Sequence, residues 1–139
     1  SRIQDNVTIT NSGTIYAANR NAITAQTIRD STITNNATGL ISAADRTILL
    51  INSTRTNMTN YGSIVANEDN ISYRNDTLTL TRTTSTPGYA IAATSATDLT
   101  LVNEGTISSN GQRTIYTKTS DGLTLTNSGT IIGTGDETI

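Results

Sequence analysis

The sequence lacks cysteine, histidine, phenylalanine and tryptophan, and its 139 residues include one proline. Without histidine and cysteine, a Ser-His-Asp triad, a cysteine nucleophile and a histidine-ligated metal site are excluded. Any catalysis would have to rest on carboxylates, arginines and the single lysine, Lys118. The absence of cysteine agrees with an extracellular or cell-surface protein, where a free thiol is prone to oxidation.

Charge and long apolar runs are also scarce. Charged residues make up 14% of the chain, the cations are scattered singly, and the formal net charge is -2. Because no basic patch is present, we expect no nucleic-acid partner. No apolar run approaches the ~20 residues of a membrane span, so we expect no membrane insertion in this segment. The first 15 residues do not resemble a signal peptide, and any export signal is expected outside the segment.

The supply of core side chains favours thin, repeated layers over one thick core. Hydrophobic residues make up 34% of the chain and aromatic residues 4%, which leaves isoleucine, leucine, valine and alanine to fill the interior. These side chains stack well on copies of themselves. The length fits a single domain.

One phrase recurs along the whole chain. It reads VTITNSGTI from Val7, LTLVNEGTI from Leu99 and LTLTNSGTI from Leu123. More divergent copies begin at Ser31, Thr56 and Leu78. The copies are 21 to 25 residues apart, which is the length of one coil of a β-solenoid.

The pattern predicts an all-β, parallel β-solenoid of about six rungs with three short strands in each rung. The predicted rungs span roughly 5–29, 30–54, 55–76, 77–97, 98–121 and 122–139. A second ladder supports this period, because an apolar residue falls about half a coil after each repeated phrase, at Ile23, Ile48, Ile71, Ile91, Ile115 and Ile139. We expect this single domain to belong to a longer solenoid or filament.

Strand alternation predicts which side chains point inward. Val7 and Ile9 share a face with the asparagine that ends the strand, whereas Thr8 and Thr10 share the other. The inward asparagines are expected to form a structural ladder of stacked amides, consisting of Asn11, Asn35, Asn60, Asn103 and Asn127. Arg82 occupies the corresponding position of the fourth rung and is expected to interrupt this ladder.

A glycine follows each ladder asparagine except in the fourth rung. These residues are Gly13, Gly39, Gly62, Gly105 and Gly129, and we predict that they adopt positive φ at a sharp corner. The fourth rung also contains Pro87, which cannot donate to a sheet ladder, so a local bulge is expected there.

Acidic residues precede the first strand of most rungs and are predicted to align as a stripe, at Asp5, Asp30, Asp76, Asp98 and Asp121. Stacked carboxylates can chelate Ca²⁺ or act as a pair in sugar hydrolysis, with Asp98 and Asp121 as the candidate residues. The alternative interpretation is structural, since aspartate closes turns through its own side chain.

The outward threonines form the other candidate surface, a possible ligand face. The regular pairs are Thr8/Thr10, Thr32/Thr34, Thr79/Thr81 and Thr124/Thr126, and the imperfect pairs are Asn57/Thr59 and Thr100/Val102. This TxT file resembles the threonine face of ice-binding solenoids, although threonine also suits any exposed strand. Tyr16 and Tyr116 are expected to point outward, where a ring can stack on a sugar.

The NSGTI phrase at Asn11 and Asn127 resembles the repeats of bacterial autotransporter passenger regions and related repeat adhesins. The likeness covers nearly the whole chain. It implies a right-handed parallel β-helix displayed outside the cell as an adhesin, stalk or spacer. The motif is specific for architecture and says little about activity.

Three functions follow from these observations. The first is a structural or adhesive extracellular fibre, without enzymatic activity or a cofactor, whose rungs stack on further rungs or copies and which contacts surface carbohydrate. The second is an ice-binding solenoid with a TxT face. The third is a carbohydrate-binding or carbohydrate-cleaving segment of the tailspike kind. Uniform spacing argues against an enzyme, because solenoid enzymes wall their clefts with long inserted loops.

Overall fold

The computed structural model describes residues 3–66, 69–74, 77–82, 88–111, 113–134 and 138–139, and for 69–74 and 77–82 it describes the backbone. All the regular structure in this part of the chain is β-strand. In chain order the strands are β1 (Gln4–Asp5), β2 (Thr8–Asn11), β3 (Thr14–Ala17), β4 (Ile23–Gln26), β5 (Ile28–Asn35), β6 (Leu40–Ala43), β7 (Arg46–Ile51), β8 (Thr54–Asn60), β9 (Ser63–Ala66), β10 (Asp69–Arg74), β11 (Thr77–Arg82), β12 (Tyr89–Thr94), β13 (Thr97–Asn103), β14 (Thr106–Ser109), β15 (Arg113–Lys118), β16 (Thr124–Asn127) and β17 (Thr130–Gly133).

Three parallel sheets form the walls of the molecule. Sheet A contains β1, β2, β5, β8, β13 and β16; sheet B contains β3, β6, β9, β14 and β17; and sheet C contains β4, β7, β12 and β15. The chain runs from sheet A to sheet B to sheet C and then begins the next turn. This arrangement is a parallel β-solenoid with three strands in each turn, which confirms the predicted fold class.

The number of turns differs from the predicted six. Four turns are complete, and β16 and β17 begin a fifth. The difference arises in the third turn, which contains β8, β9 and β12 and is interrupted by β10 and β11.

Strands β10 and β11 form an antiparallel hairpin in which Ile71 pairs with Leu80. The expectation that Ile71 belongs to the apolar ladder and that the phrase from Leu78 forms a rung is therefore wrong. Strand β12 pairs directly with β7 and β15. The period-2 alternation of LTLT is the same in a hairpin strand as in a solenoid strand, so the pattern alone does not separate the two. Pro87 lies outside the described residues.

Three stacked apolar columns, one from each sheet, run through the core. Sheet A contributes Ile9, Ile33, Met58, Leu101 and Leu125. Sheet B contributes Ile15, Ile41, Ile64, Ile107 and Ile131. Sheet C contributes Ile23, Ile48, Ile91 and Ile115. The members in the middle turns are buried, whereas those in the first and last turns of sheets A and B are only partly buried. Each fully buried aliphatic side chain contributes about 1.5–3 kcal/mol of transfer free energy.

The corner between sheets C and A is made by two columns of residues in the left-handed region. The first column contains Thr27, Asn52, Ser95 and Thr119, and the second contains Asn6, Asp30, Arg55, Asp98 and Gly122, with φ between 50° and 67°. Asparagine, aspartate and glycine tolerate this conformation, whereas arginine and threonine seldom adopt it. Stacking of identical turns imposes the same backbone angle on every member of a column.

Candidate functional site

The five asparagines that were predicted to stack lie in one column of sheet A. Each Nδ2 donates to the Oδ1 of the next asparagine at 2.7–2.9 Å, in the order Asn11, Asn35, Asn60, Asn103 and Asn127. The same nitrogen also donates to carbonyl oxygens, as Asn60 does to Gly62 and Thr106 at 3.1 Å. Every buried amide group in the middle of the column is therefore satisfied within the stack.

Arg82 does not interrupt this ladder, contrary to the expectation. Its backbone pairs with Asp69 in the hairpin, and Asn60 bonds directly to Asn103. Strands β10 and β11, which do not follow the repeat, form a separate sheet and take no part in the three stacked sheets. The ladder thus remains continuous through all the turns.

The corner glycines were predicted to adopt positive φ, and this prediction is wrong. Among the described glycines, a positive φ occurs at Gly122, which belongs to a different corner. The corner glycines are required instead by close approach of neighbouring turns. A Cβ atom on Gly105 would collide with the carbonyl oxygen of Gly62, and one on Gly129 would collide with that of Gly105.

The same contact continues down the column. A Cβ atom on Gly62 would meet the carbonyl oxygen of Gly39, and one on Gly39 would meet the carbonyl oxygen of Asn11 in the first turn as well as Oδ1 of Asn35 in its own turn. Gly13 lies in the first turn and has nothing within 4 Å of its Cβ position. The need for glycine therefore comes from the turn stacked against it.

The acidic residues do not form the predicted single stripe. Asp5 and Asp121 align with Thr54 and Thr97 in one column, whereas Asp30 and Asp98 lie in the adjacent left-handed column. Asp76 lies outside the described residues.

A cation separates the two carboxylates of the left-handed column. Arg55 lies between Asp30 and Asp98 and donates two hydrogen bonds of 2.5 and 2.7 Å to Asp30. These hydrogen bonds lower the pKa of the Asp30 carboxyl, with the positive charge of Arg55 adding to the effect. The pair is exposed to solvent, so this interaction is screened.

The candidate metal residues Asp98 and Asp121 lie diagonally in successive turns. The backbone N–H of Asp98 donates to the carbonyl oxygen of Asp121 at 2.9 Å, and Asp121 Oδ1 accepts from Gly122 N at 2.9 Å. The second contact is the turn-closing role of aspartate. Within the described residues, no three carboxylate, histidine or cysteine side chains come together as a ligand set for a metal ion.

The outward threonines form two files in register across five strands of sheet A. One file contains Thr8, Thr32, Asn57, Thr100 and Thr124, and the other contains Thr10, Thr34, Thr59, Val102 and Thr126. Thr79 and Thr81 belong to the hairpin and take no part. From strand geometry, the array repeats about every 4.8 Å across the strands and about every 6.7 Å along them.

A cluster of aromatic and cationic side chains on sheet C was missed by the sequence argument. The rings of Tyr89 and Tyr116 stack with centroids 5.0 Å apart and an interplanar angle of 19°. The guanidinium of Arg46 lies 5.6 Å from the centroid of Tyr89, and that of Arg113 lies 5.1 Å from the centroid of Tyr116.

The register of the sheet C strands explains why the sequence repeat did not reveal this cluster. Tyr116 aligns with Ala92, and Tyr89 aligns with Arg46 and Arg113. The two rings therefore meet diagonally across neighbouring strands. Because they occupy different positions of the repeat, aligning the repeats does not bring them together. The sequence signal was a tyrosine in each of two successive sheet C strands.

In the part of the chain that the structure describes, no helix is long and apolar enough to cross a membrane. No protein-family model matches the chain, and no curated protein or solved structure matches it.

Proposed function

We propose that this chain is a structural segment of an extracellular fibre that grows by stacking copies end to end. The observation that carries the proposal is the likeness of the first and last turns. The first contains TITNSGTI from Thr8 and the last contains TLTNSGTI from Thr124. A second copy stacked in the same register would place Ile9 on Leu125 and Asn11 on Asn127 in sheet A, and Ile15 on Ile131 in sheet B.

The asparagine ladder has a direction, which makes its two ends complementary. In the first turn, Asn11 Oδ1 accepts from the backbone N–H of Gly13. In the last turn, Asn127 Nδ2 donates to Gly129 O at 3.3 Å and its side chain is exposed. An exposed donor at one end and an acceptor at the other favour head-to-tail stacking, which extends without closing.

The apolar columns also support stacking. Ile9 and Ile15 at one end and Leu125 and Ile131 at the other are partly buried, while their counterparts in the middle turns are fully buried. A further turn on either end would remove this apolar surface from water. The strand edges of the first and last turns also favour pairing with a further turn.

An adhesive role at a cell surface is the second part of the proposal. It is supported by the absence of cysteine, by the threonine-rich outer faces and by the resemblance of the NSGTI phrase to repeat adhesins. A rigid rod with a repeated outer surface presents the same groups many times along its length, so weak contacts add through multivalency.

Electron microscopy of the purified chain over a range of concentrations tests the stacking. Wild-type protein and the outward variant Thr124→Glu are expected to form filaments with an axial strand repeat of about 4.8 Å. The inward variant Leu125→Glu places a charge in the apolar column of the last turn and is expected to give short rods. Discrete rods from wild-type protein at every concentration would refute the proposal.

A second candidate function, ice binding, is favoured by the threonine array. Eight of its ten positions are threonine, and each repeats in register across sheet A. Such a regular array of hydroxyl and methyl groups can order water. Thermal hysteresis that is abolished by Thr34→Lys and kept by Thr24→Lys, an exposed position on sheet C, would support this function. Wild-type protein without thermal hysteresis would exclude it.

A further inference from the structure

The outer face of sheet C contains a shallow hollow beside the stacked tyrosines. The hollow has a volume of about 400 Å³. Its floor includes Leu49 and Ala92, and the ring of Tyr116 forms one wall. Ala92 aligns with Leu49 on one side and Tyr116 on the other, so a small side chain between two large ones creates the depression.

The side chains around the hollow are positively charged at both ends. Arg46 and Lys118 line it, and none of the described residues lining it is acidic. Asp45 lies 3.4 Å from Arg46 and offsets part of its charge, whereas the side chain of Lys118 is exposed. This local excess of positive charge contrasts with a chain whose net charge is -2.

The two cations are far enough apart to contact different units of one extended ligand. Arg46 is the first residue of β7 and Lys118 is the last residue of β15, two strands away. Strand geometry places their Cα atoms roughly 20 Å apart. A single sugar ring does not span that distance, but a short oligosaccharide does.

The tyrosine stack is held rigidly, which favours it as a binding platform. Tyr89 is buried, and the guanidinium groups of Arg46 and Arg113 lie 5.6 and 5.1 Å from the centroids of Tyr89 and Tyr116 respectively. Tyr116 remains partly exposed at the edge of the hollow. An aromatic ring fixed in this way loses little side-chain entropy when a flat ligand face packs against it.

We propose that this hollow binds an anionic oligosaccharide. One sugar ring packs its C–H face on Leu49 and on the exposed part of Tyr116, and carboxylate or sulfate groups on the flanking sugars pair with Arg46 and Lys118. The aliphatic floor suits the C–H face of a sugar, and the cations select acidic over neutral chains. This inference goes beyond the fibre role and does not require end-to-end stacking.

Calorimetric titration of the whole chain tests the proposal with four probes. The probes are a trisaccharide of galacturonic acid, a sulfated trisaccharide, a neutral trisaccharide of galactose and a single-stranded oligonucleotide. Saturable binding of the carboxylated or the sulfated sugar, weakened by added salt, is the expected result, and the tighter of the two identifies the acidic group. Equal or tighter binding of the neutral sugar or of the oligonucleotide would overturn the proposal.

Matched variants locate the site. Lys118→Gln and Tyr116→Ala are each expected to weaken binding of the acidic sugar about tenfold. Arg29→Gln and Tyr61→Ala remove an exposed cation and an exposed ring elsewhere and are expected to leave binding unchanged. Because Lys118 is exposed, its variant should fold normally even if Tyr116→Ala does not. Unchanged affinity in Lys118→Gln would also overturn the proposal.

Discussion

Asn60 donates its side-chain amide to Asn103 at 2.8 Å across a separation of 43 residues, whereas the other steps of the ladder span 24 or 25 residues. The extra length is taken up by the connection that contains the hairpin β10–β11. Solenoid stacking depends on which strands pair in space, so a turn can accommodate an insertion without losing register. The third turn is thus an ordinary turn with an excursion between β9 and β12.

The ladder predicts unequal costs for removing its members. Asn60→Ala leaves Asn103 Oδ1 without its donor inside a fully buried column, and a loss of about 2–3 kcal/mol in the free energy of unfolding is expected. Asn127→Ala removes an exposed member of the last turn and should cost less than about 1 kcal/mol. Denaturant unfolding monitored by circular dichroism measures both. Equal costs would contradict a buried, cooperative ladder.

The loss of stability on substituting a corner glycine should depend on whether a neighbouring turn lies against it. Gly105→Ala places a Cβ atom against the carbonyl oxygen of Gly62 and the backbone of Tyr61, so a loss of more than about 2 kcal/mol is expected. Gly13→Ala meets nothing within 4 Å and should stay within about 0.5 kcal/mol of wild type. Thermal unfolding of the two variants measures both effects. A large loss of stability in Gly13→Ala would show that the backbone conformation, and not a neighbouring turn, requires glycine at this corner.

One buried hydroxyl offers a route to higher stability. Thr56 is 1% exposed, and its Oγ1 forms no hydrogen bond with any described group. The same column contains Leu99 in the next turn. Thr56→Val removes an unsatisfied polar atom at nearly constant shape, and a gain of about 1 kcal/mol is expected. The outward control Thr59→Val, on the same strand, should change stability by less than about 0.5 kcal/mol. Destabilisation by Thr56→Val would mean that the hydroxyl has a partner.

The ion pair at the corner of sheets C and A predicts a pH effect. Hydrogen bonds from Arg55 lower the pKa of Asp30. Because the folded value lies below the unfolded value of about 3.9, the ionised carboxylate stabilises the fold above that pH, and this contribution is lost as the pH falls through the folded pKa. Arg55→Gln should raise the pKa of Asp30, as followed by carbon NMR of the carboxyl group, whereas Arg20→Gln should leave it low. An unchanged pKa in Arg55→Gln would contradict the pairing.

The solenoid and its ladder could be predicted because they rest on repetition. Once Val7, Ile9 and Asn11 are assigned to one face of a strand, stacking copies of the phrase fixes the same face in each turn. The third and fourth predicted rungs failed because the alternation from Leu78 also suits a hairpin strand. The sequence did indicate that this copy differs from the others, because Arg82 replaces the asparagine and no glycine follows it two residues later.

Other features could not be predicted because they depend on contacts between turns. The glycine requirement at Gly105 comes from the backbone of the preceding turn, which spacing along the chain does not describe. The contact of Tyr89 with Tyr116 runs diagonally between strands. The separation of Asp30 from Asp98 by Arg55 was missed for a different reason. Residues five and six positions before the ladder asparagine were assigned to one stripe, whereas the register places them in two adjacent columns.

The most direct test of the stacking of the third turn on the fourth uses engineered disulfides, because the chain has no cysteine. Val65, Ser108 and Ile132 lie in one outward column of sheet B, in that order. Adjacent strands lie about 4.8 Å apart, within reach of a disulfide, and alternate strands do not. Oxidation should close Val65→Cys/Ser108→Cys rapidly and leave Val65→Cys/Ile132→Cys reduced, as read by mass spectrometry. Failure of the first pair to close, or equal closure of both, would contradict a third turn that stacks directly on the fourth.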